Sequence, residues 1–144
     1  MKKKSILNQL NDLGIQEGNK SIAKFMGCTM NKETVEMFGV EFTYDQLRFH
    51  DLIGWIMPVV EYITKLKTLE KDNAYFSFQI SNIVEKISTV DDIYVDKWHV
   101  LIKEVGHYGY DMGTIASANT GFLTDSLWLC IIDFINYYNT IEKI

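Results

Sequence analysis

No stretch of the 144 residues approaches the roughly 20 apolar positions that a membrane-spanning helix requires. Concentrated basic charge is also missing. Lys2, Lys3 and Lys4 form the one cluster, and a formal net charge of -5 leaves no dense cationic surface to displace the counterions of a phosphate backbone. Nucleic-acid binding is therefore disfavoured. Acids and bases alternate through most of the chain, so the dense carboxylate array of a nucleic-acid mimic is lacking too. Cysteine is confined to Cys28 and Cys130, far apart in sequence, and Cys130 sits in an apolar helical run where a thiol behaves as a small hydrophobe. Reduced thiols are expected, not a disulfide. The opening MKKKSILNQLNDLG is basic, but Asn8, Gln9, Asn11 and Asp12 break its apolar element below the length of a signal-peptide core. The expected setting is cytoplasmic, without a membrane partner.

The motifs of well-known chemistries are absent as well. The chain carries no phosphate-binding glycine-lysine loop, dinucleotide fingerprint or serine nucleophile elbow. His50, His99 and His107 could in principle join Cys28 around zinc, but their spacing matches no compact ligand signature. Neither metal nor cofactor is expected. Internal repeats, low-complexity tracts and linkers are missing, so residues 1–144 read as one domain.

What is present belongs to a folded chain: 47% hydrophobic, 13% aromatic and 23% charged residues lie well inside the globular range. Ile6, Leu7 and Leu10 suggest a first short helix ended by Gly14. Asn19 or Ser21 can cap a turn carrying Ile22, Ala23, Phe25 and Met26, with Gly27 as its left-handed terminator. Val35, Met37, Val40, Phe42 and Tyr44 approach period two and predict a hairpin turning at Phe38 and Gly39. Asp51 can receive the first amides of a helix whose apolar face runs from Leu52 through Trp55, Ile56, Val59 and Ile63 to Leu66, kinked at Pro58 but continuing across it. Trp55 and Val59 are expected to pack on strands near Phe76 and Phe78. A strand is expected at Tyr75–Ile80, a strand or helix between Ile93 and Val105, and a short strand at Thr114–Ala118 in a glycine-rich stretch. Thr124 or Asp125 then caps a terminal helix holding LWLCII and DFINYYN, too apolar to stand undocked. The fold class is α+β: a single compact domain with a small antiparallel sheet packed by two or more helices.

Three segments, EGNKSIAKFMG, WIMPVVEYI and DFINYYN, are spaced in order across most of the length of the chain. They resemble recurring signatures of small, functionally uncharacterised proteins of bacteriophages and Bacteroidetes genomes. The matching positions are Asn19, Ile22, Ala23, Phe25, Met26 and Gly27, then Trp55 and Met57 to Glu61, then Phe134, Ile135, Tyr137, Tyr138 and Asn139. Such proteins often carry a tyrosine-histidine pair before the tryptophan segment; Phe49 and His50 stand there in this chain. The resemblance implies a mobile-element context and assigns no chemistry.

Candidate functional residues follow from local chemistry. His50 beside Asp51 at a helix start could exchange a proton, although the same pair also reads as a simple helix cap. Tyr108, Tyr110 and Asp111, between Gly106 and Gly113, could offer stacking platforms and a carboxylate to a nucleotide-like ligand, or form an ordered turn. Glu85 with Glu104, or Asp91 with Asp92, read as solvated charges. Leu129 and Cys130 leave the first two turns of the last helix apolar nearly all round, and Tyr137 stands near its end as a further interface candidate, which suggests a covering surface: a loop such as Gly106–Gly121, or a second copy. The expected function is a non-catalytic interaction protein, of phage or prophage origin as the resemblance implies, that meets a host protein and inhibits a host or defence pathway, or meets itself. The alternative is a small-ligand or nucleotide-sequestering module, with an enzyme of unrecognised type third.

Overall fold

Phe76 and Phe78 alternate with Tyr75, Ser77 and Gln79, and that period of two carries β4 (Tyr75–Lys86). A computed structural model describes residues 12–66, 74–86, 88, 90–106 and 109–142. In it β4 pairs antiparallel along its whole length with β5 (Tyr94–Val105), from Tyr75 opposite Val105 to Lys86 opposite Tyr94. Next, β6 (Asp111–Thr120) joins β5 and ends with Thr120 opposite Trp98. The 93–105 segment, which satisfies both helix and strand spacing, is thus strand from Tyr94 onward. The expected short strand at Thr114–Ala118 is a longer one, because Gly113, at a φ of 115°, lets the chain pass a register shift and continue.

A second, smaller antiparallel sheet has the order β1 (Thr29–Met30), β2 (Thr34–Met37), β3 (Val40–Thr43). Its hairpin turns at Phe38 and Gly39, as the alternation predicts, with Met37 opposite Val40. Both turn residues have positive φ, 53° and 76°, the requirement of a two-residue turn that matches strand twist. A single 3-10 turn, Tyr44–Gln46, follows.

Three helices complete an α+β domain: α1 (Asp12–Phe25), α2 (Ile53–Lys65) and α3 (Leu123–Glu142). α3 packs on β5 and β6 and also meets α1 and α2, while α2 lies over β4. Ile22, Ile56, Val59, Ile63, Phe76, Ile102, Leu127, Ile131 and Phe134 fill one continuous core. Aromatic edges lock its helical corner: Phe25 meets Tyr62 at 5.3 Å and Tyr138 at 5.6 Å between ring centres, and Phe76 meets Phe134 at 4.9 Å. No helix among the described residues is long and apolar enough to cross a membrane.

Several local expectations give way to tertiary packing. The proposed helix at Ile6 to Leu10 lies outside the described residues. Gly14 does not end a helix; α1 runs through it and through Gly18, because Ile15, Ile22 and Ala23 share a face that the core buries. Neither Asn19 nor Ser21 is a cap: both stand inside α1. Its end does follow the glycine expectation. Gly27 has a φ of 80°, Cys28 N–H donates to Ala23 O at 3.1 Å, and Gly27 N–H donates to Lys24 O at 3.1 Å, a Schellman closure. Asp51 does not cap α2, whose N-cap is Leu52 without a side-chain bond. α2 continues across Pro58 to Lys65, as its periodicity predicts. Val59 is buried, whereas Trp55 is half-buried and its ring meets Phe42 of the small sheet and Phe49, at 5.4 and 5.3 Å. α3 starts at Leu123, with Asp125 buried in its first turn. Ser126 Oγ, behind it, accepts from Thr120 N–H at 3.0 Å and donates to Trp98 O at 2.6 Å, fastening the helix start to two strands.

Candidate binding site: an apolar pocket beside a strained hairpin

α2 and the small sheet do not close fully on each other. Their inner faces enclose a cavity of about 280 Å³. Met37, Val40 and Phe42 come from the hairpin, Trp55, Pro58 and Val59 from α2, Met26 and Cys28 from the end of α1, and Phe49 from the loop. The ladder register explains the convergence: Met37 is paired with Val40 and Val35 with Phe42, so all four project from one face of the hairpin. Trp55 forms the floor between two aromatic edges. Gly54 and Pro58 also line the cavity. Proline has no N–H to return to the carbonyl four residues earlier, so the usual helical donor to Gly54 O is missing at the wall. The one ionisable lining group is Cys28, whose thiol is pushed up by burial and stays neutral.

Phe38 stands at the mouth. It is 91% exposed and holds a φ of 53°. A bulky L-residue is disfavoured there, where Asn, Asp or Gly is usual. Val40, Ile53 and Met57 are further exposed apolar side chains, Val40 on the hairpin wall of the pocket and the other two on α2.

A polar cluster lies behind Phe49. The Asn19 side chain, 1% exposed, accepts from Trp128 Nε1 at 2.9 Å and donates through Nδ2 to Leu47 O at 3.1 Å. The same Nδ2 is 3.0 Å from His50 Nδ1. Indole can only donate and a carbonyl can only accept, which fixes the amide orientation, so His50 Nδ1 must accept and its proton belongs on Nε2. Nε2 in turn lies 3.8 Å from Asp51 Oδ2. Arg48 holds Asp51 through two bonds of 2.7 and 2.6 Å and lowers its pKa. His50 thus braces the loop that carries Phe49, and does not line the pocket.

The other expected site residues do not join it. Tyr108 and His107 lie outside the described residues. Tyr110 is exposed, and its carbonyl receives Gly106 N–H at 2.7 Å. Asp111 bonds Lys103 at 2.8 Å and Gly113 N–H at 2.8 Å, and these two partners hold its carboxyl below the usual range. This is the bonding of an ordered turn. Asp111 opens β6 whereas the Trp128 end of α3 meets its close at Thr120, about 30 Å along a strand rising about 3.3 Å per residue. The His50 and Asp111 candidates therefore do not share a site. Cys130 is fully buried, with burial and then Asp133 pushing its thiol up to about 12. Leu129 and Tyr137 are half-buried, and Leu129 packs on the core. The cover required by the apolar turns of α3 comes from the chain's own sheet and helices. Among the described residues no three His, Cys, Asp or Glu side chains converge as metal ligands would.

The pocket escaped sequence reasoning because its walls come from four separate elements. One signal was legible: MFGV places phenylalanine where a two-residue turn ordinarily takes asparagine. Compared with family models, with curated proteins and with solved structures, the chain finds no match.

Proposed function

We propose that the protein is a non-catalytic binding protein that captures one large apolar side chain of a protein partner in the pocket between the hairpin and α2. The observation that carries this is Phe38. A bulky residue held at positive φ costs the free protein about 1–2 kcal/mol, and its exposed ring returns apolar burial only when a partner covers it. Volume points the same way. About 280 Å³ is at the lower edge of the roughly 300–1,000 Å³ of small-molecule sites and suits an inserted side chain. A nucleotide would need donors for phosphate and base edges, which this apolar lining does not offer. The resemblance to phage and Bacteroidetes proteins makes a host-cell protein the first partner class to test.

Panning a displayed random-peptide library against the protein tests the reading. Recovered peptides should share an aromatic or large aliphatic anchor and should lose at least tenfold in affinity on Phe38→Asn or Val40→Glu. Peptides that bind both variants as tightly as the parent protein would overturn it.

A further inference from the structure

The long sheet has two edges, and they differ. β6 carries the features that discourage an edge from pairing: two register shifts against β5, Gly113 at positive φ, and the charged Asp111 tied to Lys103. β4 carries none of them over most of its length. It runs opposite β5 without a shift, and from Tyr75 to Val84 it has no charge and no proline. Among the described residues no strand lies along its outer side. The helices also cover only part of it. Phe76, Phe78, Ile80, Asn82 and Val84 project from the helix-bearing face; Phe76 is 1% exposed, but Ile80 is 43% and Val84 61%. In a chain of net charge -5, this uncharged edge is where two copies meet with least repulsion.

We propose that β4 pairs antiparallel with β4 of a second copy about a two-fold axis at Asn82, joining two sheets into one of six strands. A two-fold perpendicular to the sheet keeps both helical layers on one face and sets residues of like parity opposite each other. Centred on Asn82, it places Ile80 of each copy against Val84 of the other, so the uncovered apolar side chains cover one another. α2 lies toward the buried Phe76 end, about 20 Å from the axis at about 3.3 Å per residue, so the two helical layers flank the junction without colliding. The overlap, residues 78–86, is about 30 Å long and roughly 10 Å thick, near 300 Å² from each copy, and the charges at its ends, Glu85 and Lys86, fall opposite Gln79 and Phe78, so no like charges are paired across it. That is small for a stable complex, so the dimer is reversible and dissociates on dilution.

Sedimentation across a concentration series, with the full chain, decides the question. The parent protein should pass from monomer to dimer as concentration rises, and Val84→Lys or Ile80→Lys, both at exposed positions, should raise the dissociation constant at least tenfold. Under mild oxidation Asn82→Cys should cross-link to its own copy, and Ser77→Cys, away from the axis, should not. A chain that stays monomeric at its highest soluble concentration overturns the proposal. So does a dimer that ignores both lysine substitutions, or an Asn82→Cys variant that cross-links no faster than Ser77→Cys.

Discussion

Trp128 donates its indole N–H to Asn19 Oδ1 at 2.9 Å, joining the middle of α1 to the first turns of α3 across 109 positions of sequence. Both residues are buried, so neither can turn to water if the other is removed. Trp128→Phe keeps most of the ring but leaves the Asn19 oxygen without its donor. The expected loss is about 1–3 kcal/mol of unfolding free energy in a urea titration, the cost of a buried unsatisfied acceptor. An unchanged midpoint would mean that the bond does not form.

Gly18 lies beneath the same ring. A Cβ built there would collide with Cζ2 and Cη2 of Trp128. Alanine ordinarily stabilises a helix interior by roughly 0.5–1 kcal/mol over glycine, whereas overpacking costs about 1–3 kcal/mol. Gly18→Ala should therefore lower stability, and a raised melting temperature would contradict the packing.

His50 should hold its proton on Nε2 in the neutral form, because Asn19 Nδ2 donates to Nδ1. Long-range proton–nitrogen correlation spectra distinguish the two tautomers. The opposite tautomer would require Asn19 to be turned over, against Trp128 and Leu47.

Cys130 gives a pH prediction with a definite sign. Its thiol is raised from an ordinary 9.0 to about 12, so the unfolded chain ionises first and the folded state favours the neutral thiol. Stability from this group is intact below pH 9 and is lost as pH rises toward 12, by roughly 4 kcal/mol in total. Cys130→Ala should flatten the alkaline limb of the stability curve. In the folded protein at pH 8, a thiol reagent should modify the half-buried Cys28 well before Cys130.

Elements governed by local chemistry could be read from the sequence. The Phe38–Gly39 turn, the Gly27 terminator, the strand at Tyr75 and the helix continuing across Pro58 follow from alternation, glycine or apolar spacing within a few residues. What failed depends on distant partners. Gly14 and Asn19 look like a stop and a cap, but Trp128, more than a hundred residues away, needs the small Gly18 and the Asn19 amide inside a helix. The apolar start of α3 called for a cover, a loop such as Gly106–Gly121 or a second copy, and β6, which runs through that segment, packs on it. Asp51 stands at a helix start, yet Arg48 claims both of its oxygens.

Phe38→Asn separates folding from binding. Asparagine tolerates the left-handed turn, so stability should rise by about 1 kcal/mol. Peptides selected on the parent protein should bind the variant at least tenfold more weakly. A variant that gains no stability would mean that residue 38 is not strained.

The most direct measurement is an NMR titration of methyl-labelled methionines with indole, the free ring of a tryptophan side chain. Met26 and Met37 line the pocket, and Met112, on β6, is an exposed control outside it. Occupation of the pocket should move the Met26 and Met37 methyl signals along a saturating curve and leave Met112 in place. Stationary Met26 and Met37 signals up to the solubility limit of indole, or equal movement of all three, would contradict an apolar side-chain site between the hairpin and α2.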